Sequence, residues 1–90
     1  MLVRFSRKFV KQRNKAPKKI KFAFDERLKV FYKNKFDSRL NNHVLTGGFA
    51  GCRSINITGD WRAIYREIGA DDRVKIIFFD VFGTHSQLYK

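Results

Sequence analysis

The sequence predicts an α+β fold, in which a helical hairpin packs on a small and mostly antiparallel sheet. Two patterns carry this prediction. In the first third of the chain, apolar residues recur at three- and four-residue spacing, which is typical of amphipathic helices. In the second half, short β-branched and aromatic runs alternate with glycine-containing turns. With 90 residues, the chain is expected to form a single domain over residues 1–90.

The N-terminal segment predicts a short strand followed by a short helix. Residues 2–6 form the strand, and Ser6 is suited to cap a helix over residues 7–14 because its hydroxyl can accept a backbone N–H. Phe9 and Val10 are expected on the buried side of that helix.

A second helix is predicted after the Lys15-Ala16 link, with Pro17 in its first turn. It ends near residues 34–35, and residues 36–42 are expected to form a loop. The two helices should form an antiparallel hairpin. The second helix presents one apolar stripe, formed by Ile20, Phe24, Leu28, Phe31 and Tyr32.

Three strands are predicted in the second half of the chain. Residues 52–58 and 61–68 should form a hairpin around the turn at Gly59-Asp60. After a further turn at residues 69–72, the almost continuous apolar run at residues 73–82 predicts a central strand that is covered on both faces.

Positive charge is concentrated in the predicted helices. The chain has 20 Lys and Arg against 8 Asp and Glu, a formal net charge of +12. Residues 1–35 hold thirteen of the basic residues and two of the acidic ones. Such a field attracts polyanions, so the sequence indicates nucleic acid or an acidic protein segment as partner.

The composition excludes several classes of protein. A lone cysteine, Cys52, rules out an internal disulfide and a multi-thiolate zinc site. The longest apolar run, residues 76–79, is far shorter than the ~18 residues of a membrane span. The basic N-terminus lacks the apolar stretch of a signal peptide. We therefore expect a cytoplasmic protein without a disulfide, metal or cofactor.

Four segments of the second half carry a family resemblance. They are HVLTG (43–47), GCRSIN (51–56), GDWRAIY (59–65) and FGTHSQLY (82–89). In this order and spacing they resemble the RelE/ParE superfamily of bacterial toxins, and among these the YafQ-like mRNA interferases. The resemblance covers about residues 40–90 by motif, and the helical half fits the family in outline.

The resemblance implies a cytoplasmic toxin that cuts mRNA on the ribosome and is silenced by a cognate, acidic antitoxin. The basic hairpin would then contact ribosomal RNA through its phosphates, which position a protein without reading sequence. The implied catalytic residues are His43, Asp60, Arg62 and His85. The resemblance also implies a functional role for Tyr89, which would bind an RNA base, and we name Arg53 and Asn56 as further candidate RNA-binding residues.

Metal-free RNA cleavage needs side chains of this kind. A base must take the proton of the 2′-hydroxyl, and an acid must protonate the departing 5′ oxygen. Histidine suits both roles because imidazole exchanges protons near neutral pH. Arginine suits the developing phosphorane charge because its fork matches phosphate oxygens. The His, Cys and Asp residues lack the paired spacing of a metal site.

Two positions depart from the YafQ-like pattern. Ser54 stands where that pattern has an aspartate, and Asn56 where it has a histidine. A missing proton-transfer group costs about 10²–10⁴-fold in rate, so we expect a slower enzyme, and the sequence leaves its activity open. A ParE-like, non-enzymatic inhibitor of DNA gyrase is the alternative, and an RNA-binding module without turnover is a third hypothesis.

The hairpin register separates these hypotheses. With a two-residue turn, Ile57 faces Arg62, whereas a three-residue loop places Asn56 opposite Arg62 and brings Ser54 to the same face. The nuclease hypothesis predicts the second arrangement. Structural roles compete at the individual positions: hairpin turns favour Asp60 in any case, and Tyr89 could pack on the core.

Overall fold

The computed structural model describes residues 1–69 and 75–89. Two helices follow the first strand, and a short third helix follows the last one. Single 3₁₀ turns lie on either side of β2, at Ser38–Leu40 and Gly47–Phe49. The helices and strands are β1 (Leu2–Phe5), α1 (Arg7–Lys15), α2 (Lys18–Lys33), β2 (His43–Val44), β3 (Arg53–Asn56), β4 (Trp61–Ile68), β5 (Ile76–Thr84) and α3 (His85–Leu88).

The strands form one five-stranded sheet in the order β1-β5-β4-β3-β2. β1 runs parallel to β5, and the other neighbouring pairs are antiparallel. The predicted α+β class, with helices packed on a mostly antiparallel sheet, is confirmed. Two elements were not predicted: β2, which has two residues, and α3, which has four.

Local hydrogen bonds explain where the first helices begin. The Ser6 hydroxyl accepts the backbone N–H of Phe9 at 2.9 Å, as predicted for a cap. The same hydroxyl donates to the carbonyl oxygen of Asp80 at 2.6 Å, which fastens α1 to β5. Ala16 ends α1, and Pro17 stands immediately before α2, where its missing N–H costs nothing.

Two predicted core residues lie outside the core. Val10 is 44% exposed and Tyr32 is 53% exposed, so both predictions were wrong. Each follows a fully buried phenylalanine, Phe9 or Phe31, and successive helical residues are turned by about 100°. On each helix, the buried stripe that faces the sheet is therefore narrower than the set of apolar residues in the sequence.

The core between helices and sheet is largely aromatic. Phe79 of β5 lies at its centre, with ring centroids 5.4–6.2 Å from five other rings. Those rings come from both layers: Phe5, Phe9, Phe24, Phe31 and Tyr65. Such offset and edge-on arrangements are favoured by the ring quadrupoles.

The strand β5 is covered on both faces only near its end. Over residues 76–80, burial alternates, with Ile77 and Phe79 buried and their neighbours partly exposed. Residues 81–83 are all buried. The predicted continuous burial was thus wrong for the first half, which has one open face. Arg73 and Val74 of the predicted strand, and most of the turn at 69–72, lie outside the described residues.

Candidate functional site

Ile57 extends the pairing of β3 with β4 by one residue, and a three-residue loop (58–60) then leads into β4. The N–H of Ile57 donates to the carbonyl oxygen of Trp61 at 2.9 Å, and Asn56 pairs with Arg62. This is the arrangement that the nuclease hypothesis predicts. Because cross-strand partners share a face, the register places four polar residues on the side of the sheet away from the helices. They are His43, Ser54, Asn56 and Arg62.

Three of these residues, His43, Asn56 and Arg62, border an open concavity of about 400 Å³, and Ser54 is buried beside it. Helix α3 borders the concavity on one side, and the segment around β2 borders it on the other side. Its lining residues are Asn41, His43, Leu45, Asn56, Arg62, His85 and Tyr89. Five of the seven residues that the sequence nominated are therefore brought together here. Asp60 and Arg53 are placed differently.

His43 is held by the backbone beside it. Its Nδ1 atom lies 2.7 Å from the carbonyl oxygen of Asn41. A carbonyl oxygen only accepts, so Nδ1 carries the proton, and in neutral His43 the lone pair is on Nε2. Asn41 has a positive φ of 45°, a conformation that asparagine tolerates better than most residues. The site therefore presents an oriented proton acceptor at its rim.

Arg62 is fixed along the floor of the concavity. Its Nη1 atom donates to the carbonyl oxygens of Thr58 at 3.0 Å and Trp61 at 3.2 Å. Both acceptors belong to the β3–β4 connection, so the loop that sets the strand register also sets the direction of the guanidinium. The result is a preoriented cation with a fork suited to phosphate oxygens.

The helix α3 positions His85 and Tyr89. Thr84 and Gln87 form a reciprocal capping box at its start. The N–H of His85 donates to the carbonyl oxygen of Asp60 at 2.9 Å, with the Asp60 carboxylate at 3.4 Å. The His85 and Tyr89 rings lie 4.7 Å apart. Asp60 therefore holds the helix that carries His85, and it does not line the concavity.

Two buried polar atoms lie on this face of the sheet. Ser54 is fully buried, and Asn56 is partly buried. Among the described residues, neither Ser54 Oγ nor Asn56 Oδ1 has a hydrogen-bond partner. Such groups are costly without a partner, so this part of the sheet is less well satisfied in hydrogen bonding than the aromatic core.

Arg53 lies on the opposite, helix-facing side of the sheet. It pairs with Tyr65 and alternates with Ser54 along β3. Its Nε atom donates to Asn42 Oδ1 at 2.7 Å, and its guanidinium stacks over Phe36 at 5.2 Å. The structure therefore does not bring Arg53 to the concavity with the other nominated RNA-binding residues, because strand alternation turns it away.

Arg53 instead supports the segment that carries His43. Asn42, the residue before His43, donates through Nδ2 to the Tyr65 hydroxyl at 2.6 Å and to the carbonyl oxygen of Lys35 at 2.9 Å. Tyr65 is fully buried, and this burial raises the pKa of its hydroxyl above the ordinary 10.0. The network anchors the chain immediately before the proton acceptor.

The whole chain matches one protein family. The model of the bacterial YafQ toxin of type II toxin–antitoxin systems covers residues 2–90. The chain belongs to this family. The predicted RelE/ParE membership is thereby confirmed, and the protein is the toxin of a type II toxin–antitoxin system. No curated protein sequence matches the chain.

Solved structures support the fold of this YafQ-family toxin. The chain is similar to YafQ from E. coli strain BL21(DE3), with a TM-score of 0.78, 20% identity, and coverage of 98% of this chain and 97% of that one. It is also similar to the YoeB/ParE toxin from Agrobacterium tumefaciens, with a TM-score of 0.74, 16% identity, and coverage of 94% of this chain and 99% of that one. A chain of the E. coli DinJ–YafQ toxin–antitoxin complex has a TM-score of 0.74 and 21% identity, with coverage of 98% of this chain and 96% of that one.

Neither a cluster of metal-binding side chains nor a membrane-spanning helix is found in the part of the chain that the structure describes. Within residues 1–69 and 75–89, no His, Cys, Asp and Glu side chains gather in a group of three or more that could hold a metal ion. Over the same residues, no helix is long and apolar enough to cross a membrane.

Sequence reasoning missed three residues of this YafQ-family toxin. Asn41 and Leu45 line the concavity, and Asn42 anchors its rim. The signal was the Asn-Asn pair directly before His43. Asparagine favours left-handed and side-chain-bonded turns, so such a pair beside a candidate histidine indicates a fixed loop.

We expect the Tyr65→Phe substitution to lower the free energy of unfolding by about 0.5–1.5 kcal/mol, because Asn42 loses one hydrogen-bond acceptor. Urea denaturation measures this. Because folding raises the pKa of Tyr65, this residue contributes stability at pH values below the ordinary tyrosine pKa of 10.0. The contribution is lost as the pH rises above 10.0. The difference between the two proteins should therefore shrink above about pH 10. Tyr32→Phe, at an exposed tyrosine, is the control, and an equal loss there would contradict the assignment.

We expect the Gly83→Ala substitution to displace α3 and cost about 1–3 kcal/mol of stability. A Cβ at Gly83 would lie 2.9 Å from Gln87 Oε1 and 3.3 Å from Leu88 Cδ2. The amide cannot retreat freely because it also accepts the N–H of Thr84. Thermal unfolding measures the effect. Gly48→Ala, where a Cβ meets nothing within 4 Å, is the matched control. Equal melting temperatures for the two variants would contradict this packing.

Proposed function

We propose that the chain is an endoribonuclease toxin that cleaves mRNA on the ribosome by acid–base chemistry, without a cofactor. The observation that carries the proposal is that His43, Arg62 and His85 line one open concavity. Two imidazoles and a guanidinium are the side chains that 2′-hydroxyl attack on a phosphodiester requires. A shallow and open site also suits a strand of RNA better than an enclosed small molecule.

In this proposal His43 is the base. Its Nδ1–H donates a hydrogen bond to the carbonyl oxygen of Asn41, which leaves Nε2 as the acceptor for the 2′-hydroxyl proton. The freed 2′ oxygen attacks the adjacent phosphorus, and the bond from phosphorus to the 5′ oxygen breaks. Protonated His85 donates its proton to that departing oxygen. The products are a 2′,3′-cyclic phosphate and a 5′-hydroxyl end, and the two histidines have exchanged protonation states.

The remaining residues act on charge and position. Arg62 stabilises the phosphorane, since its orientation is fixed before substrate arrives. Asn56 lies beside it in the register and contacts the RNA backbone. Tyr89 stacks on a base, next to His85. Asp60 is a positioning residue, because it acts through the N–H of His85.

Ser54 and Asn56 make this enzyme slower than one with further acid–base groups. Serine and asparagine hydrogen-bond but do not exchange protons near neutral pH. One lost proton-transfer group typically costs about 10²–10⁴-fold. Cleavage should therefore persist at a reduced rate, because the two histidines and Arg62 remain.

Two partners belong to the proposal. The lysines and arginines of α1 and α2 bind ribosomal RNA through its phosphates, which fits the concentration of charge in residues 1–35. A cognate, acidic antitoxin covers the concavity. The complementary charge supports it, as does the similarity to a chain of the DinJ–YafQ toxin–antitoxin complex. The protein acts in the cytoplasm, where both partners are found.

The experiment that tests the proposal is cleavage of a defined message on translating ribosomes, with and without a chelator. We expect cut RNA with cyclic-phosphate and 5′-hydroxyl ends, unchanged by the chelator. His85→Ala should reduce the cleavage by about 10²–10⁴-fold. Uncut message, or cleavage that the chelator abolishes, would overturn the proposal. A parallel DNA gyrase supercoiling assay tests the ParE-like alternative, which predicts inhibition there and intact message.

A further inference from the structure

We propose that a second concavity, between the end of α1 and α3, binds an unpaired nucleobase of the RNA. This inference rests on the proposed function. The concavity has a volume of about 320 Å³, near the lower end for small-ligand sites. Its lining residues are Gln12, Lys15, Ala16, Trp61, Phe82 and Gln87. None of them was among the predicted site residues.

Trp61 gives this concavity a flat aromatic wall. Its indole ring packs on Phe82 with centroids 5.4 Å apart and planes inclined by 33°. The side chain is only partly buried, and it contributes to the lining. Bases of single-stranded RNA stack on aromatic rings of this kind because every base has a π-face.

Two glutamine side chains supply fixed hydrogen-bond donors. Gln12 Oε1 accepts the backbone N–H of Phe82 at 2.8 Å, and Gln87 Oε1 accepts the N–H of Thr84 at 2.9 Å. Neither amide can turn over without leaving a backbone N–H without its partner. Each therefore keeps its Nε2 group as a donor. Both residues line the concavity, so it offers hydrogen-bond donors to its ligand.

Lys15 adds a cation from the last turn of α1. An aromatic wall, two amide donors and an ammonium together suit a planar ring with carbonyl acceptors and an attached phosphate. A nucleotide has this combination. An acidic protein segment would satisfy Lys15, but it offers no ring for the indole face. The chemistry of the lining thus favours RNA over protein.

The position of this concavity relates it to the proposed cleavage site. Trp61 and Arg62 are consecutive on β4 and so point to opposite faces of the sheet. The helix α3 contributes His85 to one concavity and Gln87 to the other. Both concavities flank the same end of the sheet. An RNA strand that crosses this end can be cut at one and held by a neighbouring base at the other.

Fluorescence of Trp61 tests the inference directly, because the chain has one tryptophan. The probe is a short 2′-O-methyl RNA, which binds but cannot be cut. We expect saturable quenching at low ionic strength. Gln12→Glu and Gln87→Glu each keep an acceptor for the backbone N–H and replace the donor, so both should weaken binding at least tenfold. Lys15→Gln should weaken it several-fold, and Lys75→Gln, a charge-matched control away from this concavity, should not.

Three outcomes would overturn the inference. These are no quenching by the RNA, equal affinity in the two glutamate variants, and equal quenching by a polyglutamate peptide, which would assign the concavity to acidic protein. The ribosome assay separates this failure from that of the proposed function. Quenching with the expected variant pattern but uncut message would reject the nuclease and keep the base site. Cleaved message with unaffected glutamate variants would reject the base site alone.

Discussion

The His43→Ala substitution is expected to reduce the rate of RNA cleavage by about 10²–10⁴-fold. The ring is exposed, and its Nδ1 proton is committed to Asn41, so its removal takes away the proton acceptor and little packing. Single-turnover cleavage of a defined message on ribosomes measures this rate. The melting temperature of the variant should stay within about 2 °C of the parent, as expected for surface substitutions.

Val44→Ala serves as the matched control for His43→Ala. Val44 is the neighbouring residue of β2 and is also exposed, but its side chain does not line the concavity. It should cleave at nearly the parent rate. Full activity of His43→Ala, or an equal loss in Val44→Ala, would contradict the assignment of His43 as the base.

The Phe79→Ala substitution is expected to cost about 3–5 kcal/mol of stability. Phe79 is fully buried and contacts aromatic rings from β1, α1, α2 and β4. The substitution would therefore leave a cavity between the helices and the sheet. A domain of this size has about 5–15 kcal/mol in total. The variant should therefore lie close to its unfolding threshold at 37 °C, as urea denaturation and near-UV circular dichroism would record.

Phe22→Ala provides the comparison for this core substitution. Phe22 is 66% exposed on α2, and its replacement should change the free energy of unfolding by less than about 0.5 kcal/mol. Equal losses for Phe22→Ala and Phe79→Ala would mean that the aromatic cluster around Phe79 does not carry the stability of the core.

The parts of the fold that the sequence predicted well are those with strong local signals. Ser6 before a helical pattern predicted the cap that the structure has. The alternation around Gly59-Asp60 predicted a hairpin with strand β4 at the observed residues, Trp61–Ile68. Each of these signals reports an interaction between residues that are close in the chain, so a single sequence contains it.

The missed elements depend on contacts that a sequence does not display. Strand β2 has two residues, and it forms because His43 and Val44 pair with β3. Eight residues (45–52) separate the two strands in the chain. Helix α3 has four residues and is fixed by its capping box and by Asp60 from a distant turn. Neither has the length at which periodicity becomes informative.

The candidate site was predicted more completely in its residue types than in its geometry. Family motifs nominated His43, Arg62, His85 and Tyr89, which the structure places around one concavity. Arg53 and Asn56 were both candidates, but they lie three positions apart on β3, so strand alternation turns their side chains to opposite faces. Alternation shows that the two cannot share a face, and only the pairing with β4 shows which of them faces the concavity.

The parallel pairing of β1 with β5 has a consequence for synthesis of the protein. Leu2 lies beside Ile76, so the first strand finds its partner only after most of the polypeptide has been translated. Pairings between such distant segments form late because closing a long loop carries a large entropy loss. We expect the sheet to remain incomplete in the nascent chain until β5 has emerged from the exit tunnel.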